Sequence, residues 1–488
     1  MVSTRRDFMK ATALTGVGFW AMAGNESKAR QSANDKIGIA GFGVSAQGGG
    51  ILNGAGGRRE TEVVVICDPD RKLLANAQQK YPQAKAFTDY RKAFDEMEKS
   101  IDAATVGTPD HVHACISLRA MRAKIHCYTE KPLTRTIYEA RLLGQVAKET
   151  GVCTQMGNMG SDNNNLRKGA AQLKAGVLGN ILSVHCWTGR PSWPQGPGRR
   201  ETLEKFSETT KARQPADRAE ELIAAKKAEL DKALEDLDWE SWIGPAPDRP
   251  FWPQLYHQFR WRGWFDFGSG ALGDMACHTV NMPYAGCDLK YPTSVIAKTS
   301  GHDFDSLPGS SEIKFEFPAV GGKPAFEFYW YDGGKRAPAE LRDLYKVGNP
   351  GSGALVIGEK GALLSPGDYN GEWNLYGKDG APAPEKISED KLEYPQARDG
   401  HMGEWFRAIR MNKPEECWSN FTTNAGPFCE TLLLGNLAVW AAPKKDEWGE
   451  KIEWNAEKLE VTNLASLQTP GIAELLKPKY REGHVLDV

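Results

Sequence analysis

The sequence predicts an α/β protein in two parts: a doubly wound domain over residues 36–158 and an α+β domain, with a mostly antiparallel sheet, over 159–488. Two observations carry this. From Lys36, short β-rich runs alternate with helical stretches, which implies a parallel sheet covered on both faces. After Asn158 the runs are strand-like and closed by Gly, Pro or Asp turns, which implies antiparallel pairing.

In order, the first part reads "KIGIAGFG", helix, "TEVVVICD", helix, "IDAATVGTP", helix, "KIHCYTEKPL", helix, "VCTQMGN". The second contains "ILSVHCWTGR", "SVIAKTSGHDF", "SEIKFEFPA", "AFEFYWYDGG", "ALVIGEKGALLSP" and "WNLYGKDG", then the helical "HMGEWFRAIRMNK" and "PFCETLLLGNLAVWA". Residues 201–237, rich in charge, Ala and Leu, read as a solvated helical insertion.

Residues 1–35 stand apart. "STRRDFMK" pairs Arg5 and Arg6 ahead of Phe8, and the apolar run after it is too short and Gly-rich to span a bilayer. The segment resembles a twin-arginine export signal with Ala21–Ala23 as its cleavage site, so the expected location is the periplasm, reached in the folded state and without a membrane span in the mature chain.

The 61 basic and 63 acidic residues nearly cancel, so no global field favours nucleic acid or an anionic membrane, and a small neutral substrate is the simpler expectation. The nine cysteines are scattered, odd in number and never spaced as CxxC, which argues against a zinc ribbon, an iron–sulfur centre or a disulfide framework. Most sit in apolar runs and are expected as buried thiols. Several of the 15 tryptophans (187, 193, 239, 242, 252, 261 and 264) share one stretch; aromatic faces suit sugar rings, but core packing accounts for most of them.

"GFGVSA" supplies Gly41, Gly43 and Ala46 as G-x-G-x-x-A, with Val44 and Ser45 between them, directly after the first strand. Such a turn lets the backbone approach a pyrophosphate, and the following helix offers its N-terminal amides. Asp68 ends the second strand, where a carboxylate accepts from both ribose hydroxyls and repels a 2′-phosphate, so NAD is expected over NADP despite nearby Arg71. "GTPDHVHA" and "TEKPL" end the next two predicted strands. Thr108, Pro109, His111, Glu130 and Lys131 are therefore expected at the cofactor, with Lys131 steadying a developing alkoxide.

"GFGVSA", "CDPD", "GTPDHVHA", "EKPL" and "GDMACH", in that order, resemble the glucose–fructose oxidoreductase, inositol dehydrogenase and rhizopine-catabolism (Gfo/Idh/MocA) family. The resemblance implies a Rossmann domain followed by an open-faced sheet domain that pairs into homo-oligomers, with a sugar or polyol held between nicotinamide and sheet. It implies a catalytic role for Lys131, with Asp274 and His278 binding and deprotonating the hydroxyl. It also places Asn158 at the cofactor and Arg190, Trp193 and, as in an exported subgroup, Asp266 at the substrate.

Asp274 and His278 lie four residues apart and share a face if helical. A metal would need further ligands, and Cys277 and Cys287 offer no recognisable spacing, so none is expected. Asp274 as a helix N-cap and His278 as a core histidine are the structural alternatives. The acid/base reading is preferred because alcohol oxidation requires a proton acceptor and histidine titrates near neutrality. The expected activity is NAD-dependent oxidation or reduction of a secondary hydroxyl of a sugar, glycoside or cyclitol. A glycosidase that oxidises transiently around captive NAD, and a sugar-binding protein with a retained cofactor, are the alternatives.

Overall fold

The computed structural model describes residues 36–193, 195–197, 227–251, 255–484 and 486; the signal-like segment, most of the insertion and Trp252 lie outside them. Strands β1 (Ile37–Phe42), β2 (Thr61–Cys67), β3 (Lys85–Phe87), β4 (Ala103–Val106), β5 (His126–Thr129) and β6 (Thr154–Met156) form a parallel sheet in the order β3-β2-β1-β4-β5-β6. The crossover helices are α1 (Ala46–Gly56), α2 (Arg71–Lys80), α3 (Tyr90–Met97), α4 (Asp110–Arg122) and α5 (Ile137–Thr150). With helices on both sides, the central strands are buried on both faces, which is why β4 reads as the unbroken run "AATV" rather than an alternation.

Helix α5 shows how locally these elements are specified. Thr136 Oγ accepts from the Glu139 amide and the Glu139 carboxylate accepts from the Thr136 amide, while Gly151 ends the helix at φ 67°. Strand order reverses between β1 and β4, so the loops after those strands meet at the switch point where open α/β sheets bind ligands.

The second sheet has nine strands: β7 (Ile181–Trp187), β8 (Ser294–Thr299), β9 (Ser311–Phe317), β10 (Phe326–Tyr331), β11 (Gly353–Gly358), β12 (Gly361–Pro366), β13 (Asn374–Tyr376), β14 (Ile452–Asn455) and β15 (Glu460–Val461). Their order is β13-β12-β11-β7-β10-β9-β8-β14-β15, antiparallel apart from the β7–β10 ladder. In β9, buried Ser311, Ile313, Phe315 and Phe317 alternate with half-buried Glu312, Lys314 and Glu316.

Four helices of this part matter for the site: α6 (Asn164–Lys174), α7 (Gly270–Thr279), α8 (Asn281–Cys287) and, later in the chain, α9 (Gly426–Trp440). Helix α9 is apolar all round because it is buried all round, in one core that joins the two domains. A Cβ on Gly435 would stand 2.7 Å from Leu272 and 3.0 Å from Phe315, so its absence lets α9 lie against both α7 and the sheet. That packing fixes α7 relative to the first domain.

The outer face of the second sheet is open only in part. Ala337, Tyr345 and Val347 cover Trp187, Tyr331, Leu355 and Leu364, while the rest carries ion pairs such as Lys298–Glu312 and Lys314–Glu327. The insertion also differs from the solvated segment expected. Residues 227–236 are helical, Leu237 is buried and bridges Asp70, and the Asp238 amide donates to the Pro69 carbonyl at 2.9 Å. Leu230, Ala233 and Leu234 explain this docking, since they pack against a cluster containing Trp242, Trp261 and Trp264. All nine cysteines are buried and free.

Candidate active site

The turn after β1 touches the turn after β4. Gly43 sits at φ 79°, and a Cβ there would fall 2.5 Å from the Gly107 carbonyl oxygen, so only glycine fits both the backbone and the space. Ser45 precedes α1 without a side-chain cap, so the first amides of that 11-residue helix, from Ala46 on, are uncapped by its side chain. Asp68, at the end of β2, accepts from the Val44 amide at 3.1 Å and the Asp70 amide at 3.0 Å. Burial pushes its carboxyl up to about 6, against the pull of those amides and of His257. Arg71 donates to the Glu235 carbonyl at 3.2 Å, so the insertion engages the cation that blurred the choice between NAD and NADP.

His113, inside "GTPDHVHA", ties the two cofactor-facing loops together, its ring nitrogens 2.8 Å from the Thr108 carbonyl and 2.9 Å from that of Pro132. Pro109 starts α4 as its N-cap. Glu130 accepts from Gln47 Nε2 at 3.1 Å and from the Lys131 amide at 3.2 Å, and burial lifts its carboxyl to about 7. A Cβ on Gly157 would collide with that carboxylate at 2.6 Å. Neighbouring Asn158 is fully buried with both amide atoms unpartnered among the described residues. An uncapped helix start behind a glycine turn, a carboxylate anchored beside it and an orphaned buried amide together fit a dinucleotide.

Lys131 reaches across to α7. Its Nζ donates to the Asp274 carbonyl at 2.7 Å and to Asp274 Oδ1 at 2.9 Å. Arg262 Nε stands 3.4 Å from the same oxygen, and Arg190 Nη1 is 4.0 Å from Oδ2. Burial alone would raise the Asp274 carboxyl, but these three cations outweigh it and hold it below its ordinary value. Asp274 is the fifth residue of α7, whose N-cap is Ser269, so the capping alternative falls: Gly270 at φ 65° starts the helix one turn earlier.

His278 follows one turn later on the same face, its ring 4.7 Å from that of Tyr369 and its Nδ1 buried without a partner among the described residues. Burial, reinforced by Lys131, pushes its pKa down to about 3. The expectation of titration near neutrality is thus corrected: burial and Lys131 outweigh the pull of Asp274 toward the charged ring.

Other expected residues sit differently. His111 is packed between Trp242 and Phe267 with Nε2 donating to the Trp242 carbonyl at 3.1 Å, so its ring serves the domain junction. Trp193 is buried with Nε1 donating to Gln195. Asp266 lies 3.3 Å from Arg249, whose guanidinium also faces the Tyr256, Trp264 and Phe267 rings. Sequence reasoning missed Arg262, Tyr369 and Asp110. Asp110 lay within a quoted motif, whereas Arg262 and Tyr369 carried no signal.

Asp110 accepts from Ser269 Oγ at 2.6 Å, and burial raises its carboxyl to about 7. Its folded-state value lies above its unfolded one, so between about pH 4 and 7 the folded chain holds the extra proton and stability from this group falls as pH rises. Asp110→Asn is therefore expected to stabilise the protein by about 1–3 kcal/mol above pH 7 and to have little effect near pH 4, as read from denaturant unfolding at both pH values.

Residues 36–158 match the model of an oxidoreductase family's NAD-binding Rossmann fold, and residues 222–320 match the C-terminal α/β domain of that same family. Both parts of the chain thus match the two domains of the Gfo/Idh/MocA oxidoreductase family. The first match is to the NAD-binding domain that the glycine turn and Asp68 indicated. It is 25% identical to levoglucosan dehydrogenase of Pseudarthrobacter phenanthrenivorans over 135 residues, covering 27% of this chain and 34% of that one. It is 30% identical to 2,7-anhydro-N-acetylneuraminate hydratase of Escherichia coli over 95 residues, 20% of this chain and 25% of that one. The chain thus spans about a third or less of the length of these curated relatives. The fold resembles the WlbA dehydrogenase of Bordetella pertussis, with TM-score 0.54 and 16% identity over 86% of this chain and 99% of that one.

Proposed function

We propose that this protein is a member of the Gfo/Idh/MocA family and an NAD-dependent oxidoreductase acting on a secondary hydroxyl of a sugar, glycoside or polyol. The observation that carries the reading is the Lys131–Asp274 contact at the carboxyl edge of the Rossmann sheet, with His278 one turn beyond. Bound NAD would supply a hydride acceptor, held by the Gly41–Ala46 turn, Asp68 and the loops carrying Thr108, Glu130 and Asn158.

Lys131 gives two of its three ammonium protons to Asp274, which leaves the third for the substrate oxygen. That contact strengthens as the oxygen gains negative character, so it favours the transition state over the ground state. His278 takes the hydroxyl proton. A weak base suffices, because the O–H proton leaves together with the C–H electron pair and the hydroxyl acidifies as that pair departs. Asp274 lies close enough to favour the charged ring and hands back stability while the proton is held.

The relatives named as sugar-converting enzymes support a carbohydrate substrate. The paired arginines Arg5 and Arg6 support export to the periplasm, and the uncovered part of the sheet's outer face supports self-association. The test is to denature the purified protein, quantify released NAD(H), and incubate native protein with free sugars, polyols and aryl glycosides. Stoichiometric reduced nicotinamide with a keto product is the expected outcome. Aglycone release without net reduction would replace the dehydrogenase reading by the glycosidase.

A further inference from the structure

Three cations converge on one carboxylate in this site, and two of them are poorly used there. Lys131 makes both short contacts to Asp274. Arg262 approaches only through Nε at 3.4 Å, while its guanidinium carbon sits 4.2 Å from the centre of both the Phe259 and the Trp261 rings. Arg190 is 4.0 Å from Asp274, donates from Nη1 to Ser192 Oγ at 3.1 Å, and has a side chain 40% exposed. Neither arginine has another side-chain partner among the described residues.

The other acids nearby do not absorb this charge. Asp110 is bonded to Ser269, Glu130 to Gln47 and the Lys131 amide, and Asp266 to Arg249. Closing the cleft over a neutral sugar would desolvate three cations against the single Asp274 carboxylate, which is costly. Arginine's planar fork suits a carboxylate or phosphate held through two parallel bonds, and the Phe259 and Trp261 rings hold Arg262 ready for one.

We propose that the substrate carries an acidic group, the carboxylate of a uronic acid or a sugar phosphate, and that Arg190 and Arg262 bind it beside Asp274. The inference rests on the oxidoreductase reading of the same cleft and replaces the neutral substrate expected from net charge. It also assigns Arg262 a part in specificity.

The test uses full-length, NAD-loaded protein and calorimetric titration with matched probes: glucose, glucuronate and glucose 6-phosphate, then galactose, galacturonate and galactose 6-phosphate. At least one charged member should bind at least about tenfold more tightly than its neutral partner, less so at high salt. Arg190→Gln and Arg262→Gln should each remove most of that preference. Preference for the carboxylate or for the phosphate identifies the anion. Equal or weaker binding of every charged member, or a preference that survives both substitutions, overturns the proposal. Reduced nicotinamide from neutral sugars alone would sink the proposal and leave the oxidoreductase standing. A charged preference with no reduction in any arm would do the reverse.

Discussion

Replacing Lys131 by methionine is expected to lower kcat by at least about 10³-fold while leaving the amount of NAD recovered from the denatured protein unchanged. The substitution keeps the unbranched side chain, one atom shorter, and removes the ammonium that bridges Asp274 and the substrate oxygen. The Asp274 carboxylate does not become an orphan, because Arg262 at 3.4 Å and Arg190 at 4.0 Å still neutralise it. The loss therefore falls on the transition state more than on the fold. Rapid quench of a single turnover separates the chemical step from product release, and an unchanged rate of that step would remove Lys131 from the chemistry. His278→Asn is expected to show a smaller loss, of about 10²-fold, because a transient acceptor is partly replaced by water. The pH profile of the unmodified enzyme should show no inflection between 6 and 7 attributable to the His278 ring, since burial holds its pKa at about 3.

Gly43→Val is expected to weaken NAD binding by at least about 100-fold, roughly 3 kcal/mol. The added Cβ would meet the Gly107 carbonyl oxygen at 2.5 Å and its carbon at 2.7 Å, and φ 79° is a poor conformation for a β-branched residue. Relief requires the turn to move away from β4, which displaces Val44 from Asp68 and opens the switch point. Gly50→Ala is the control: it lies in the following helix α1, where a Cβ meets nothing within 4 Å. Its binding constant should match that of the unmodified chain, and cofactor fluorescence titration measures both.

The first domain was legible because its signals are local. A strand buried on both faces must be continuously apolar, a pyrophosphate turn must contain glycine, and the acid after β2 must fall at a fixed distance along the chain. The Asp274–His278 pair was legible for the same reason, since α-helical period alone puts residues four apart on one side. What escaped depends on distant packing. Arg262 reads as a surface cation until Phe259 and Trp261 hold it against α7. Asp274 after Gly273 resembles a cap until Ser269 is seen to begin the helix. The pKa of His278 depends on burial and on Lys131, 147 positions earlier in the chain, and no pattern in "GDMACH" carries that information. The insertion looked solvated because its charges outnumber its leucines, yet a few apolar residues at helical spacing pack on the tryptophan cluster, and Leu237 and Asp238 tie its end to Asp70 and Pro69 of the first domain.

The most direct test of the central claim is isotopic. A sugar or polyol deuterated at its carbinol carbons, chosen from the probes that bind, is mixed with the NAD-loaded enzyme, and the cofactor is recovered by denaturation and weighed by mass spectrometry. Transfer of one deuterium to the nicotinamide in the unmodified enzyme, and none in Lys131→Met over the same interval, is the predicted result. Substrate turnover with no deuterium ever found on the nicotinamide would contradict the account.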